Sequence, residues 1–441
     1  MFISFSQRTL VPLLACLAFP GLSYSATVAD ELSELREAVS FGKVTGALRY
    51  RYERVDQSTF SKNANASTLR AALGYETKNY KGFTAFAQFE GVFDVGNDNY
   101  RNATNGKTLY PLVADTPTVE MNQAVLKYGY SKDPWKTNLS FGRQEILLSN
   151  QRLVGAVAWR QDQQTFDGAG ISTVPYQGNG MALSLGYNYI NRVNRIFPDS
   201  SNTAPFQGRF DMDTHLGQAT YKLDGIGQLV AYGLFLDYES VVAGVTNNSS
   251  ATIGARASGA YKTSDTVSVL YGAEYASQSD YGSNTNSYDA AYYQIEGGVG
   301  VGALSIKYGY NVLEGESETA KFTTPLATGH AFNGWNDIFL NTPNAGLEAH
   351  AVTLSWAPPM IAGLTLTAIA YSFNADSLGD HYGDEIDLLA EYKVSQFPGL
   401  LVGVKYAKFK GDETANMTGA NATGAAAESI NKFWVYTQYA F

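Results

Sequence analysis

Apolar and polar residues alternate one by one along most of this chain, and that period of two predicts β-strands from Gly42 to the C-terminus. The clearest run places Val44, Gly46, Leu48, Tyr50 and Tyr52 on one face, with Lys43, Thr45, Ala47, Arg49, Arg51 and Glu53 on the other. The next run sets Leu69, Ala71, Leu73 and Tyr75 against Thr68, Arg70, Gly74 and Glu76. Later runs repeat the pattern: Leu183/Leu185/Tyr187/Tyr189, Val267/Val269/Tyr271, Leu304/Ile306/Tyr308/Tyr310 and Ile386/Leu388/Ala390/Tyr392. The stretch Phe433 to Phe441 reads as a final strand ending on an aromatic, with Phe433, Val435, Tyr439 and Phe441 on its apolar face. In water such an edge would template aggregation; in a closed barrel it pairs with the first strand.

Polar rows can alternate within a lipid-spanning sheet only if they face enclosed water. The chain therefore predicts an all-β fold, a transmembrane antiparallel up-and-down β-barrel of roughly 18 strands. At that size the wall's own side chains cannot fill the lumen. Short connections, Lys78–Gly82, Lys132–Pro134, Thr263–Asp265 and Ala357–Pro359, alternate with long ones at 54–67, 94–118, 144–163, 191–214, 313–346 and 411–429. Short periplasmic turns and long extracellular loops are the arrangement of the outer membrane of a Gram-negative bacterium.

Composition narrows the picture further. The 441 residues carry a net charge of −10 and 45% hydrophobic residues, with 43 glycines and 30 tyrosines. Mean hydropathy is only −0.18, and no apolar run beyond the N-terminus is long enough for a transmembrane helix. Abundant tyrosine suits aromatic girdles at two lipid–water interfaces. Arg8, the apolar run Leu10–Leu22 and small residues at Ser23 and Ser25 predict a signal peptide over 1–25, cleaved before Ala26. The only cysteine, Cys16, lies inside it and is not read as a lipidation site, so the mature chain is expected to carry no thiol. A short periplasmic segment over 26–41 then leads into a barrel over 42–441.

Arginine placement is the second signal, since every arginine lies at or before Arg256. Arg49, Arg51, Arg70 and Arg256 fall on inward faces by parity, and Lys127 is grouped with them as pore-lining. Arg152 and Arg160 lie in the third long loop, and Arg192 and Arg195 begin the fourth. Arg143 shares parity with Leu139 and Phe141, which places it where its strand leaves the membrane. A guanidinium is a permanently charged fork suited to carboxylates. Pairing with Glu53, Glu76, Glu90, Glu274, Glu296 and Asp387 would make these residues wall braces; as a group they point to anion selectivity.

Two stretches look too rich for plain connections. Arg143-Gln144-Glu145 through Gln151-Arg152-Leu153-Val154-Gly155, Trp159-Arg160-Gln161 and Thr165-Phe166-Asp167 mix amide, guanidinium and indole, a set suited to carbohydrate. Lys321–Asp337 is too apolar for a free external loop and is expected to pack into the mouth or plug it. These stretches, with Asn97-Asp98-Asn99-Tyr100, Asn191-Arg192-Val193-Asn194-Arg195, and Thr324–Thr328 through Phe339–Pro343, resemble the alginate export family of outer-membrane porins. The resemblance runs from about Leu32 to Phe441. It implies a monomeric 18-stranded barrel whose arginine-lined pore passes a polyuronate. It carries a pore-lining role to Arg143, Arg152 and Arg160; Trp159 and Asp167 accompany them in the motif.

Other signals are weaker. Asp94–Asn99 resembles a calcium loop but lacks an oxygen ligand at Gly96, and Asp211–His215 reads as a solvated loop end. Gly297–Gly302 reads as a glycine-rich turn without dinucleotide spacing. No cofactor and no nucleic-acid partner are expected; the partners are outer-membrane lipid, lipopolysaccharide and an anionic polysaccharide or oligosaccharide. A porin for other small anions, sugars or aromatic solutes is the alternative. An enzyme is not expected, because His215, His330, His350 and His381 lie in loops or near strand ends without a serine partner.

Overall fold

A computed structural model describes residues 28–133, 135–201, 206–239, 247–413, 415–420 and 429–441. The expected signal peptide, its cleavage site and Cys16 lie outside the described residues, as does Pro134 of one short turn. Strands run from β1 (Lys43–Gln57) to β18 (Ser429–Ala440), each antiparallel to the next in sequence. The sheet closes where β1 pairs with β18, from Ala47 opposite Ala440 to Gln57 opposite Ile430. Gly46 and Phe441 exchange two backbone hydrogen bonds of 3.0 Å at the lower end of this seam. The Phe441 ring lies over Gly46, where a Cβ would collide with it. Closure matters because lipid offers no partner to an open edge.

The two faces sort as their period predicts. Outward positions such as Leu48, Leu73, Phe141, Ile253, Ile295 and Ile386 are exposed, while Arg51, Trp434 and Asp387 on the opposite rows are buried. The principal apolar cluster lies inside the bore: Tyr292, Phe322, Leu326, Phe339, Phe373, Tyr382 and Phe409 are all almost fully buried. Phe339, from the seventh long loop, packs on Phe373 at 4.6 Å and on Tyr382 at 5.7 Å between ring centroids.

The strands reach further than the expected loop bounds. The first outer loop shrinks to 58–63, the second to 100–117 and the fourth to 195–208, because alternation continues above the membrane. Arg192 therefore lies within β7 (Met181–Asn194), and Asp211–His215 within β8 (Arg209–Leu223), so that run is not a loop end and His215 is a strand residue. Gly297–Val301 belongs to β12 (Asp289–Val301), leaving Gly302 at the turn with φ 57°. Outer connections at 237–249 and 281–288 were absent from the sequence reading.

Before the barrel, helix α1 (Val28–Ser40) sits at the periplasmic rim. Glu31 pairs with Lys81 at 2.8 Å, Glu37 with Lys78 at 3.4 Å, and the Tyr75 hydroxyl donates to the Val39 carbonyl.

Lipid contact makes a direct prediction. Ile295→Lys, at mid-height on the outer face of β12, should destabilise the barrel by about 2–4 kcal/mol in denaturant titrations in phospholipid vesicles. An unchanged midpoint would contradict the orientation of that strand.

Candidate functional site: the lumenal constriction

The inner row of β1 carries Arg49, Arg51 and Glu53, all at most 9% exposed. Their alternation with outward Leu48 and Tyr50 sends three charges into the bore from one strand. A charge buried there needs a partner. The third long loop, residues 145–164, supplies much of it. Arg49 donates through Nε to Gln161 Oε1 (2.7 Å) and through Nη1 to the Ala158 carbonyl (2.9 Å), and also reaches the Arg160 carbonyl. Arg51 donates to the Trp159 carbonyl and forms an ion pair with Asp115 of the second outer loop. Asp115 also accepts from the Gln161 backbone N–H at 3.1 Å. Burial would raise the Asp115 carboxyl, but Arg51 and then Arg160 hold it below the ordinary carboxylate range.

Arg70, on β2 (Ala64–Glu76), pairs with Glu90 of β3 (Phe83–Asn99) and reaches Gln163 at 3.1 Å. Beside them Asp162 is fully buried. Burial, then the Glu120 and Glu90 charges, push its carboxyl well above its ordinary range.

The seventh long loop, residues 314–346, enters from the other side and joins the third. Gly155 N–H donates to the Leu326 carbonyl (3.0 Å), Thr328 N–H to the Gln151 carbonyl (3.1 Å), and Gln164 Nε2 to Leu326 (3.1 Å). Where they meet, Arg160 contacts two carboxylates: Glu53 at 3.2 Å and Asp337 at 2.6 Å. Asp337 also accepts from Lys432 Nζ (2.8 Å) and His330 Nδ1 (2.6 Å). Lys405 of β17 (Leu400–Gly411) donates to His330 Nε2 at 2.6 Å. That bond fixes the imidazole as an Nδ1–H donor toward Asp337.

Aromatic rings enclose this group. Trp159 stacks on His330 at 5.1 Å and 6°, and meets Trp434 (5.9 Å) and Tyr436 (5.5 Å) edge to face. The Lys405 ammonium lies 3.7 Å from the Trp335 ring centroid and 4.0 Å from that of Trp159, a desolvated cation–π arrangement. Burial and then the Lys405 charge push His330 down to about 3, against the pull of Asp337. Burial would raise Asp337, but Lys432, then His330 and Arg160, hold it well below its ordinary range.

The remaining predicted residues are spread about the barrel. Arg152, 2% exposed, donates to Asn333 (3.0 Å) and Asn311 (3.4 Å) and lies over the Tyr292 and Phe332 rings. Arg256, on β10 (Ser250–Lys262), braces the wall with Glu274 and Glu296, each at 3.2 Å. Lys127 faces Glu76 at 3.7 Å, with both side chains well exposed. Arg143 and Asp167 pair at 2.8 Å, and Arg192 pairs with Asp211 at 3.1 Å. These four stand opposite one another across β5 (Trp135–Gln144), β6 (Thr165–Gly178), β7 and β8. Their row alternates with the buried row of Phe166 and Val193, so they face away from the bore, at the outer rim. Arg195 packs over Phe210 at 4.6 Å beneath the fourth loop.

The expected braces Glu53, Glu90, Glu274 and Glu296 do meet arginines, whereas Glu76 meets Lys127 and Asp387 accepts from the Trp335 N–H at 3.2 Å. The sequence reading missed Asp115, Lys405 and Lys432, and named Gln161 and Asp337 only as members of the two rich stretches. Lys405 and Lys432 had a usable signal: each alternates with outward apolar residues, Val404 and Phe433.

Residues 41–184 match the alginate export family. No curated protein sequence matches the chain. Among solved structures, Acinetobacter baumannii OccAB4 is similar with a TM-score of 0.65 at 16% identity, covering 92% of this chain and 100% of that one. Pseudomonas aeruginosa OpdK, solved with vanillate, gives 0.62 at 15% identity over 91% and 100% of the two chains. The outer membrane protein OpdK of the same organism, in another structure, gives 0.60 at 16% identity over 90% and 99%. At these identities the likeness shows the fold alone, a closed 18-stranded antiparallel β-barrel.

The His330–Asp337 pair predicts a pH response. His330 is neutral when folded, so the released chain takes up a proton as pH falls through 6.5, and the stabilisation is lost progressively toward about 3. Asp337, also depressed, is lost in the same direction at lower pH. Acidification below 6.5 should raise acrylamide quenching of tryptophan fluorescence while the β-sheet circular dichroism stays constant. Unchanged quenching down to about 3 would refute the assignment of a neutral imidazole.

Proposed function

We propose that this porin passes an anionic polysaccharide or its oligomers, of the alginate-like polyuronate class, across the outer membrane. The observation that carries the reading is the set of buried lumenal guanidiniums, Arg49, Arg51, Arg70, Arg152 and Arg160, at the level where two loops narrow the bore. Guanidinium stays charged at every relevant pH and matches a carboxylate with two parallel donors. A polyuronate presents one carboxylate per sugar, spaced along a chain whose C–H faces stack on indole rings. Trp159, Trp335, Trp434 and Tyr436 supply such faces beside Arg160. The match of residues 41–184 to the alginate export family supports the same reading. The net charge of −10 does not oppose it, because selectivity is set at the constriction and not by the overall balance.

A second reading is a porin for small carboxylates or aromatic solutes. It is favoured by the fold likeness to OpdK, whose structure was solved with vanillate, and by how fully the two loops occupy the bore. Single-channel recording in planar bilayers separates the two. Under a salt gradient the reversal potential should report anion preference. An oligouronate should interrupt the current at concentrations where maltotriose and vanillate do not. Cation preference with no oligouronate block would refute the polyuronate reading, and interruption by vanillate alone would favour the second.

A further inference from the structure

We infer that Asp337 is an internal ligand filling a carboxylate-binding seat, and that a solute carboxylate exchanging with it releases the seventh loop and widens the bore. This rests on the channel reading above and adds the site and the opening event to it.

Three donors converge on one carboxylate: two from outside the seventh loop and one, His330, from the same loop as Asp337. Oδ2 accepts from Arg160 (2.6 Å) in the third loop and Lys432 (2.8 Å) on β18, while Oδ1 accepts from His330 (2.6 Å). Lys405 behind His330 keeps that imidazole donating. The Arg160 guanidinium and the Lys432 ammonium, beside the Trp159 and Trp434 rings, lie outside the seventh loop and form a receptor for any carboxylate that reaches them when Asp337 and His330 leave. Asp337 reaches that receptor from a left-handed backbone, φ 62°, a region that aspartate enters more readily than most non-glycine residues. Two backbone N–H groups fix the preceding residues to the wall, Trp335 to Asp387 (3.2 Å) and Asn336 to Glu385 (2.9 Å), the Trp335 ring lies 3.7 Å from the Lys405 ammonium, and Gly334 stands at φ 83°.

Beside the seat are two buried donors that the loop does not satisfy, the indole Nε1 of Trp159 and of Trp434. Buried donors and acceptors ordinarily find partners. Two indole N–H donors next to a carboxylate seat match the ring hydroxyls of a uronic acid.

Charge conservation makes the seat selective. Simple departure of Asp337 would take from buried Lys432 the carboxylate it pairs with at 2.8 Å, an unfavourable change. Arg160 would keep Glu53, 3.2 Å away. Replacement by an incoming carboxylate restores the lost pairing, so the exchange is nearly balanced, whereas a neutral sugar cannot drive it.

The test uses the full-length barrel in planar bilayers, with folding checked by heat-modifiable mobility on gels. In the wild type, triguluronate should raise the open probability about tenfold, the equivalent of one charge-assisted hydrogen bond, while maltotriose leaves it unchanged. Asp337→Asn keeps the shape without the charge. It should be open without solute and lose the response to triguluronate, while an exposed control, Asp199→Asn, behaves as wild type. A folded Asp337→Asn channel that stays closed, or still opens with triguluronate, overturns the inference. So does a wild type whose open probability ignores carboxylates. The reversal potential is read in the same recordings: anion preference retained without gating sinks the exchange alone, whereas its loss sinks the channel reading.

Discussion

Lipid cannot hydrogen-bond a peptide group, and every feature of this molecule follows from that restriction. The ladder between β1 and β18 leaves no strand edge at the seam, from Ala47–Ala440 to Gln57–Ile430. Closing eighteen strands fixes a bore wider than wall side chains can fill. The interior then needs other material. Here it is the third outer loop, which brings Leu153 and Val154 into the lumen, and the seventh, which brings Phe322, Leu326 and Phe339.

Loops entering an arginine-lined bore must bring acceptors with them. The second and third loops deliver Asp115, the Gln161 amide and the carbonyls of Ala158 and Trp159 to Arg49 and Arg51. The seventh delivers Asp337 to Arg160 and Lys432. Such pairs contribute little net stability over apolar packing, yet breaking one partner is costly. The constriction is therefore a set of exchangeable charge contacts on a fixed wall. A bore built this way responds to the charge of what enters it.

The wall was legible in the sequence because strand periodicity has only two phases. Once Leu48 and Tyr50 face lipid, Arg49 and Arg51 must face inward, and the same logic places Arg70 and Arg256. The apolar content of Lys321–Asp337 likewise announced a loop that packs inside. The partners were not legible. Arg160 and Asp337 are 177 positions apart, and Arg49 and Gln161 are 112, distances across which no local pattern carries information. Asp211–His215 was misread because alternation continues past the membrane, where polar side chains no longer mark a strand's end. Arg143, Asp167 and Arg192 show a further limit. A motif shared with a family identifies a segment but does not say which face of the strand each residue takes, and the register sets these three at the outer rim.

The central claim is that the third and seventh loops together form the narrowest part of the bore. Single-channel conductance of a barrel in which residues 317–341 are replaced by a short glycine link tests it most directly. Conductance several-fold above wild type, with weakened anion preference, is the predicted result. A folded deletion barrel conducting like the intact chain would contradict the account.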